Sequence, residues 1–206
     1  MNIIIILGIG LILIFIRYLR RPKKIKKASF LIVLGSGGHT GEMLEILNSV
    51  VVPLGDLTKR LIFVIAESDT TSEDKLYNWL KSNDRRYEHI VERIPRSREV
   101  GQSYVNSIYP TIMSLWWSII LLFKFRTEFI IVNGPGTCLP ICYCAILWDV
   151  LLLRRTVVIF IESFCRTRTL SLTAKLCRPI CDDLFVYWPE LNRKYPESKL
   201  IGRKDL

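Results

Sequence analysis

The 206-residue sequence has no C-x-x-C pair and only two histidines, His39 and His89. Its six cysteines (Cys138, Cys142, Cys144, Cys165, Cys177 and Cys181) therefore lack the spacing of a zinc ligand set, and no metal site is expected. There is no internal repeat and no low-complexity tract, which excludes solenoid and linker architectures. Acidic residues are scarce: 19 stand against 29 lysines and arginines, a formal charge of +10. That excess asks for an anionic neighbour, whether nucleic acid, an acidic bilayer or a phosphorylated substrate. No nucleic-acid recognition motif accompanies the charge, and the basic residues concentrate near the amino terminus, so nucleic acid is discounted.

Charge is absent altogether from "NIIIILGIGLILIFI", residues 2–16, and "RYLRRPKKIKK" follows at once. A secretory signal carries its positive charge before the apolar run and a cleavage site of small residues after it, the reverse of what stands here. A surface helix would need a polar face, which the run lacks. Residues 2–19 are read as a transmembrane anchor, short for a span of roughly 20 residues but extended by snorkelling of Arg17 and Arg20. Residues 20–28 form a basic juxtamembrane linker, and 29–206 a single domain. The positive-inside rule puts that domain on the cytosolic side, as a single-pass protein of a thin, endoplasmic-reticulum-type membrane. In that reducing compartment the cysteines are read as buried free thiols.

With half its residues apolar, the domain can bury one core. Short β-branched runs alternate with helical segments. The strands expected are 29–35, 60–66, 87–94, 128–133, 156–162 and 183–188. Their apolar residues are nearly continuous, as in strands covered on both faces. Between them lie helical stretches at 41–51, 72–83, 103–125, 138–152 and 171–180. This order predicts an α/β fold, a Rossmann-like, mostly parallel sheet. Segments 107–123 and 138–153 are more apolar than a surface helix requires. Pro110 in the first and Asp149 in the second argue for sheet-covering helices with one face on the bilayer rather than further spans.

The chemistry concentrates where strands end. In "FLIVLGSGGHTGEMLEIL" the first strand turns through Gly35, Ser36, Gly37 and Gly38, and His39 and Thr40 follow at the mouth of a helix. Glycine lets a ligand approach the main chain, and the unpaired N–H groups of a helix start suit phosphate. No lysine follows the glycines, so this is no P-loop, and Thr40 stands where a dinucleotide fingerprint needs glycine. His39 either donates to a phosphate, serves as general base on a hydroxyl, or is a packed helix-start residue. A second turn, Asn133, Gly134, Pro135 and Gly136, closes the fourth strand and would face the first across a crevice. Arg96 and Arg98, with Arg93, follow the third strand and suit phosphate or carboxylate. Glu162 ends the fifth strand and is either a base or sugar ligand, or an ion-pair partner of Arg166 or Arg168.

Taken in order, "VLGSGGHTGEM", "RIPRSREV", "NGPGTCLPIC", "IESFCR", "LFVYWPEL" and "YPESKLIGR" resemble the membrane-anchoring subunit of the two-subunit N-acetylglucosaminyltransferase of dolichol-linked oligosaccharide synthesis. The resemblance runs from Phe30 to Arg203. It implies transfer of the second N-acetylglucosamine from UDP-N-acetylglucosamine to dolichyl-diphosphate-N-acetylglucosamine, on the cytosolic face of the endoplasmic reticulum. It also implies the fold of the amino-terminal, acceptor-side half of a GT-B glycosyltransferase, no cofactor, and a soluble partner subunit carrying the donor-binding half. On that analogy Gly35, Ser36, Gly37, Gly38, Thr40, Asn133, Gly134, Gly136, Arg96 and Arg98 face the acceptor diphosphate, and His39 and Glu162 are the catalytic candidates. Glu162 aligns with the glutamate of the His-Glu-Gln-Asn motif of the bacterial lipid II-forming enzyme, a GT-B glycosyltransferase, although its neighbours Ile161, Ser163 and Phe164 depart from that motif. The tail, Lys199, Leu200, Ile201, Gly202 and Arg203, would hold the partner.

Two rivals remain at this stage. One is a membrane-anchored, dinucleotide-dependent oxidoreductase with Glu67 on the ribose; the other is a scaffold that contributes no site residue.

Overall fold

The computed structural model describes residues 27–83, 88–97, 106–152 and 154–201, with the backbone only of 50–54 and 56. The expected anchor (2–19), most of the linker, and Arg98, Gly202 and Arg203 lie outside the described residues.

Seven parallel strands form one sheet: β1 (Ala28–Val33), β2 (Thr58–Ala66), β3 (Glu88–Ile94), β4 (Phe129–Val132), β5 (Val157–Ile161), β6 (Asp183–Val186) and β7 (Lys199–Leu200), in the spatial order β3-β2-β1-β4-β5-β6-β7. The helices between them are α1 (Gly38–Leu54), α2 (Thr70–Ser82), α3 (Ile108–Lys124), α4 (Cys138–Leu151), α5 (Leu172–Cys177) and α6 (Pro189–Lys194). All six strands expected from the sequence are present. The seventh has two residues in the tail and pairs with β6. It carries too little apolar pattern for the sequence to announce it.

The continuous apolar strands have the predicted cause. Leu31, Val33, Ile62, Val64, Ile130 and Val132 point to one face, where α3, α4 and α5 bury Leu121, Ile141, Ala145 and Cys177. Their alternates Phe30, Ile32, Leu61, Phe63 and Ile131 point to the other, beneath Met43 and Leu47 of α1 and Leu76 and Trp79 of α2. A strand buried on both sides has no place for a polar alternate.

Helix α3 packs with its small polar side inward. Ser114 and Ser118 are fully buried, with Ser118 Oγ donating to the Ser114 carbonyl at 2.7 Å, while Ile112, Trp116, Ile120 and Phe123 are exposed. Small side chains let α4 approach closely, and Trp148 Nε1 on α4 donates to the Ile119 carbonyl at 3.1 Å. Pro110 sits in the first turn of α3 and Pro140 in the first turn of α4, where a missing N–H removes no helical bond. Among the described residues no helix is long and apolar enough to cross a membrane. Leu121 and Leu122 of α3 and Ile141 and Ala145 of α4 pack into the core on one sheet face, so both apolar segments cover the sheet.

Asp149 is almost fully buried on α4. Its two oxygens accept Thr156 N and Thr156 Oγ1, each at 2.8 Å, which fastens the helix end to the start of β5. All six cysteines are free thiols. Cys138, Cys142, Cys144 and Cys177 are buried as expected, whereas Cys181 is half-buried and Cys165 is exposed.

Candidate functional site

The chain leaves β1 toward β2 on one side and returns through β4 on the other, so the loops after β1 and β4 diverge from adjacent strand ends. This switch point is where open α/β sheets place ligands. The two loops touch through glycine. A Cβ at Gly35 would lie 2.6 Å from Pro135 Cγ and 2.9 Å from His39 Cβ. Gly134, at φ 75°, lies against the imidazole: a Cβ there would be 2.7 Å from His39 Cε1 and 3.1 Å from Nδ1. Any side chain at either position would displace the ring.

Two further groups approach His39 around that contact. Asn133 Nδ2 donates to its main-chain carbonyl at 2.6 Å. Glu42, one turn further along α1, brings Oε2 to 3.7 Å from Nδ1. The imidazole side chain is 34% exposed, yet Nδ1 is buried without a hydrogen-bond partner, so the accessible edge carries Nε2. Asn133 Oδ1 is likewise buried and unpartnered. Buried polar atoms are ordinarily paired, and these two lie together where the two loops meet.

A cleft of about 700 Å³ opens over this junction. It is lined from the strand-end loops by Gly35, Ser36, His39, Arg96, Ser97, Pro135, Gly136 and Thr137, with Leu34 and Ala66 beside them. The helices add a mostly apolar wall, from Ile108 and Ile112 on α3, Leu139 and Pro140 on α4, and Leu172 and Leu176 on α5, with Ser107, Thr111 and Thr173 among them. The lining thus offers glycine-loop and arginine groups for an anion together with hydrocarbon surface, the combination an amphiphilic ligand needs.

Of the residues expected to bind diphosphate, Gly35, Ser36, Gly136 and Arg96 line the cleft. Gly37 takes the positive φ of 68° that begins α1, and both it and Gly38 are exposed outside the cleft wall. Asn133 and Gly134 lie behind His39 and shape it. Thr40 faces away: it is fully buried, its Oγ1 donating to the Gly35 carbonyl and lying 2.6 Å from Ser72 Oγ. Arg93 pairs with Glu73. Glu162 is almost fully buried and does not line the cleft. Its Oε1 accepts Ser163 N at 3.0 Å and its Oε2 accepts Ser171 N at 2.7 Å. It thereby closes the loop 163–170 and supports the start of α5. In the tail, Lys199 and Leu200 are exposed on β7, and Ile201 N donates to Val186 O at 2.8 Å.

Sequence reasoning missed Glu42, Ser163 and the apolar wall. Glu42 carried one signal, the three-residue helical spacing from His39. Ser163 carried none, because its link to Glu42 spans distant segments: Ser163 Oγ donates to Glu42 Oε1 at 2.9 Å.

Sheet order, glycine contacts and cleft together define a doubly wound α/β domain with an anion-suited crevice at its switch point. A family model described as "Oligosaccharide biosynthesis protein Alg14 like" matches residues 30–204. The rat protein named UDP-N-acetylglucosamine transferase subunit ALG14 (Rattus norvegicus) is 41% identical over 179 residues, which cover 84% of this chain and 81% of the rat one. The human protein of the same name (Homo sapiens) is 38% identical over 181 residues, covering 85% and 82%. The chain belongs to the Alg14-like family of oligosaccharide biosynthesis proteins. The crystal structure of MurG from Acinetobacter baumannii matches with a TM-score of 0.55 at 13% identity, over 80% of this chain and 43% of that one, a likeness of fold. The oxidoreductase alternative finds no support among these relatives.

Proposed function

We propose that this chain is the membrane-anchored, acceptor-side subunit of a UDP-N-acetylglucosamine transferase. The enzyme adds the second N-acetylglucosamine to dolichyl-diphosphate-N-acetylglucosamine on the cytosolic face of the endoplasmic reticulum. The observation that carries the reading is the cleft, whose lining joins the glycine-histidine loop to an apolar wall from α3, α4 and α5. A polyprenyl diphosphate sugar joins an anion to a hydrocarbon in the same way. The names of the rat and human relatives supply the donor class and the word subunit.

The acceptor enters with its hydrocarbon along α3 and its diphosphate toward Gly35, Ser36, Gly136 and Arg96. The exposed Trp116, Ile120 and Phe123 of α3 rest on the bilayer interface, and the cleft, lined in part by the same helix, opens at lipid level. His39 Nε2 takes the proton from the acceptor sugar's 4-hydroxyl as that oxygen attacks the anomeric carbon of the donor. The bond from that carbon to the UDP oxygen breaks, and UDP leaves. The domain resembles one half of a GT-B enzyme, and the donor half belongs to a soluble partner subunit. The tail, whose Lys199 and Leu200 form the edge strand β7, is its docking element.

The test is transfer of labelled N-acetylglucosamine from UDP to a dolichyl-diphosphate-N-acetylglucosamine analogue, in membranes with and without the partner. Activity should need both chains and be lost in His39→Ala while the two subunits still co-purify. Full activity in an intact His39→Ala complex would reduce the chain to a platform.

A further inference from the structure

We propose that Glu42 is the positioning carboxylate of His39, fixed in turn by Ser163, and that it sets which ring nitrogen meets the substrate. This rests on the reading of His39 as base. The Nδ1 atom is buried and unpartnered, and the carboxylate that faces it, Glu42 Oε2, stands at 3.7 Å. A shift of about 1 Å by either side chain makes an ordinary hydrogen bond. The other carboxylate oxygen is already committed, accepting Ser163 Oγ at 2.9 Å.

Ser163 is itself immobilised. Its N–H goes to Glu162 Oε1 at 3.0 Å, and its Oγ accepts Cys165 N at 3.3 Å. Glu162 holds Ser171 N with its second oxygen at 2.7 Å. A chain of fixed groups thus runs from the end of β5 through Ser163 to Glu42 and on to the imidazole. Glu162 is the far end of this chain, linked to the ring only through Ser163 and Glu42. The surroundings are partly dry: the Tyr187 phenol is held above its ordinary value by burial first and by the Glu42 charge second.

An ionised carboxylate only accepts hydrogen bonds, so it favours the tautomer with its proton on Nδ1. The lone pair then sits on Nε2, at the exposed edge. Without Glu42 the neutral ring is free to place its proton on Nε2, where it cannot act as a base.

The experiment uses the full chain in complex with its partner subunit, this chain alone carrying ¹⁵N-labelled imidazoles. His89 is the one other histidine in the chain and serves as reference. In alkaline buffer, with the rings neutral, native His39 should carry its proton on Nδ1. In Glu42→Gln the proton should move substantially to Nε2, and kcat should fall on the order of tenfold or more with little change in acceptor KM. Ser163→Ala should give the same changes in smaller measure. A native tautomer or a native kcat in Glu42→Gln, with the complex intact, overturns the proposal. Retained activity in His39→Ala overturns instead the reading of His39 as base, whatever the tautomer of Glu42→Gln.

Discussion

Asn133 donates through Nδ2 to the main-chain carbonyl of His39 at 2.6 Å, which ties the turn after β4 to the first turn of α1. The bond fixes the backbone from which the imidazole projects, and it lies where two independent chain segments must keep register. Asn133→Ala should lower stability by about 1–3 kcal/mol, because a buried bond and part of the packing go together. Chemical denaturation of the purified chain measures that loss. The acceptor KM of the complex should rise as the loops lining the cleft loosen.

Glycine is needed at Gly134 and not at Gly38. An alanine at 134 would meet His39 Cε1 at 2.7 Å in a backbone conformation of φ 75° that disfavours any side chain, whereas a Cβ at 38 meets nothing within 4 Å. Gly134→Ala should therefore lower the melting temperature and displace the imidazole, with transferase activity falling at least tenfold. Gly38→Ala, inside a helix, should keep or raise the melting temperature. Thermal unfolding of the two variants side by side decides it.

The six longer strands, their order of appearance and the two glycine turns were legible in the sequence, because doubly buried strands and tight turns leave local patterns. Roles that depend on which segment lies beside which were not. Thr40 reads as a phosphate ligand in "GGHTGE", but α1 rotates it inward to Gly35 O and Ser72. Glu162 reads as a catalytic carboxylate because it ends a strand, yet two backbone N–H groups claim it. Segment 107–123 reads as uniformly apolar, and its buried side proves to carry Ser114 and Ser118, where small residues let α4 pack close.

Glu162→Gln distinguishes a support from a catalytic group. A carboxylate accepts both N–H donors, from Ser163 and Ser171, while an amide must turn its NH₂ toward one of them. The expected result is a destabilisation of about 2–3 kcal/mol, since charge-assisted bonds to buried donors are lost. Activity should fall in step with folded protein and recover in part at lower temperature. A variant of native stability with no activity would instead place Glu162 among the reacting groups.

Burial pushes the Cys144 thiol from 9.0 up to about 11 and the Cys181 thiol up to about 12. A thiol raised in the folded state holds its proton there after the unfolded chain has lost its own. Its contribution is therefore complete below the ordinary thiol value and declines as pH rises from 9.0 through about 11. The denaturation midpoint should be flat below that window and fall within it, and Cys144→Ala should flatten the fall. A thiol reagent at neutral pH should modify Cys165, the exposed cysteine, well before the buried ones.

The outward face of α3 yields the prediction that bears on the membrane. Trp116 is 60% exposed and Trp117 43%, with Ile112, Ile120 and Phe123 beside them, while Trp79 lies on the buried face of α2. Apolar exposure of that density along one helix is costly in water and stabilising at a lipid interface. With the full chain in vesicles, lipids brominated near the headgroup should quench part of the tryptophan fluorescence. That part should disappear in a Trp116→Phe/Trp117→Phe variant. Quenching that survives the double substitution would assign the contact to other tryptophans, and absence of quenching in the native chain would turn this face toward a protein rather than the bilayer. In the expected case the mouth of the cleft, lined by Ile108 and Ile112 of the same helix, meets the lipid at the depth where a polyprenyl diphosphate presents its head.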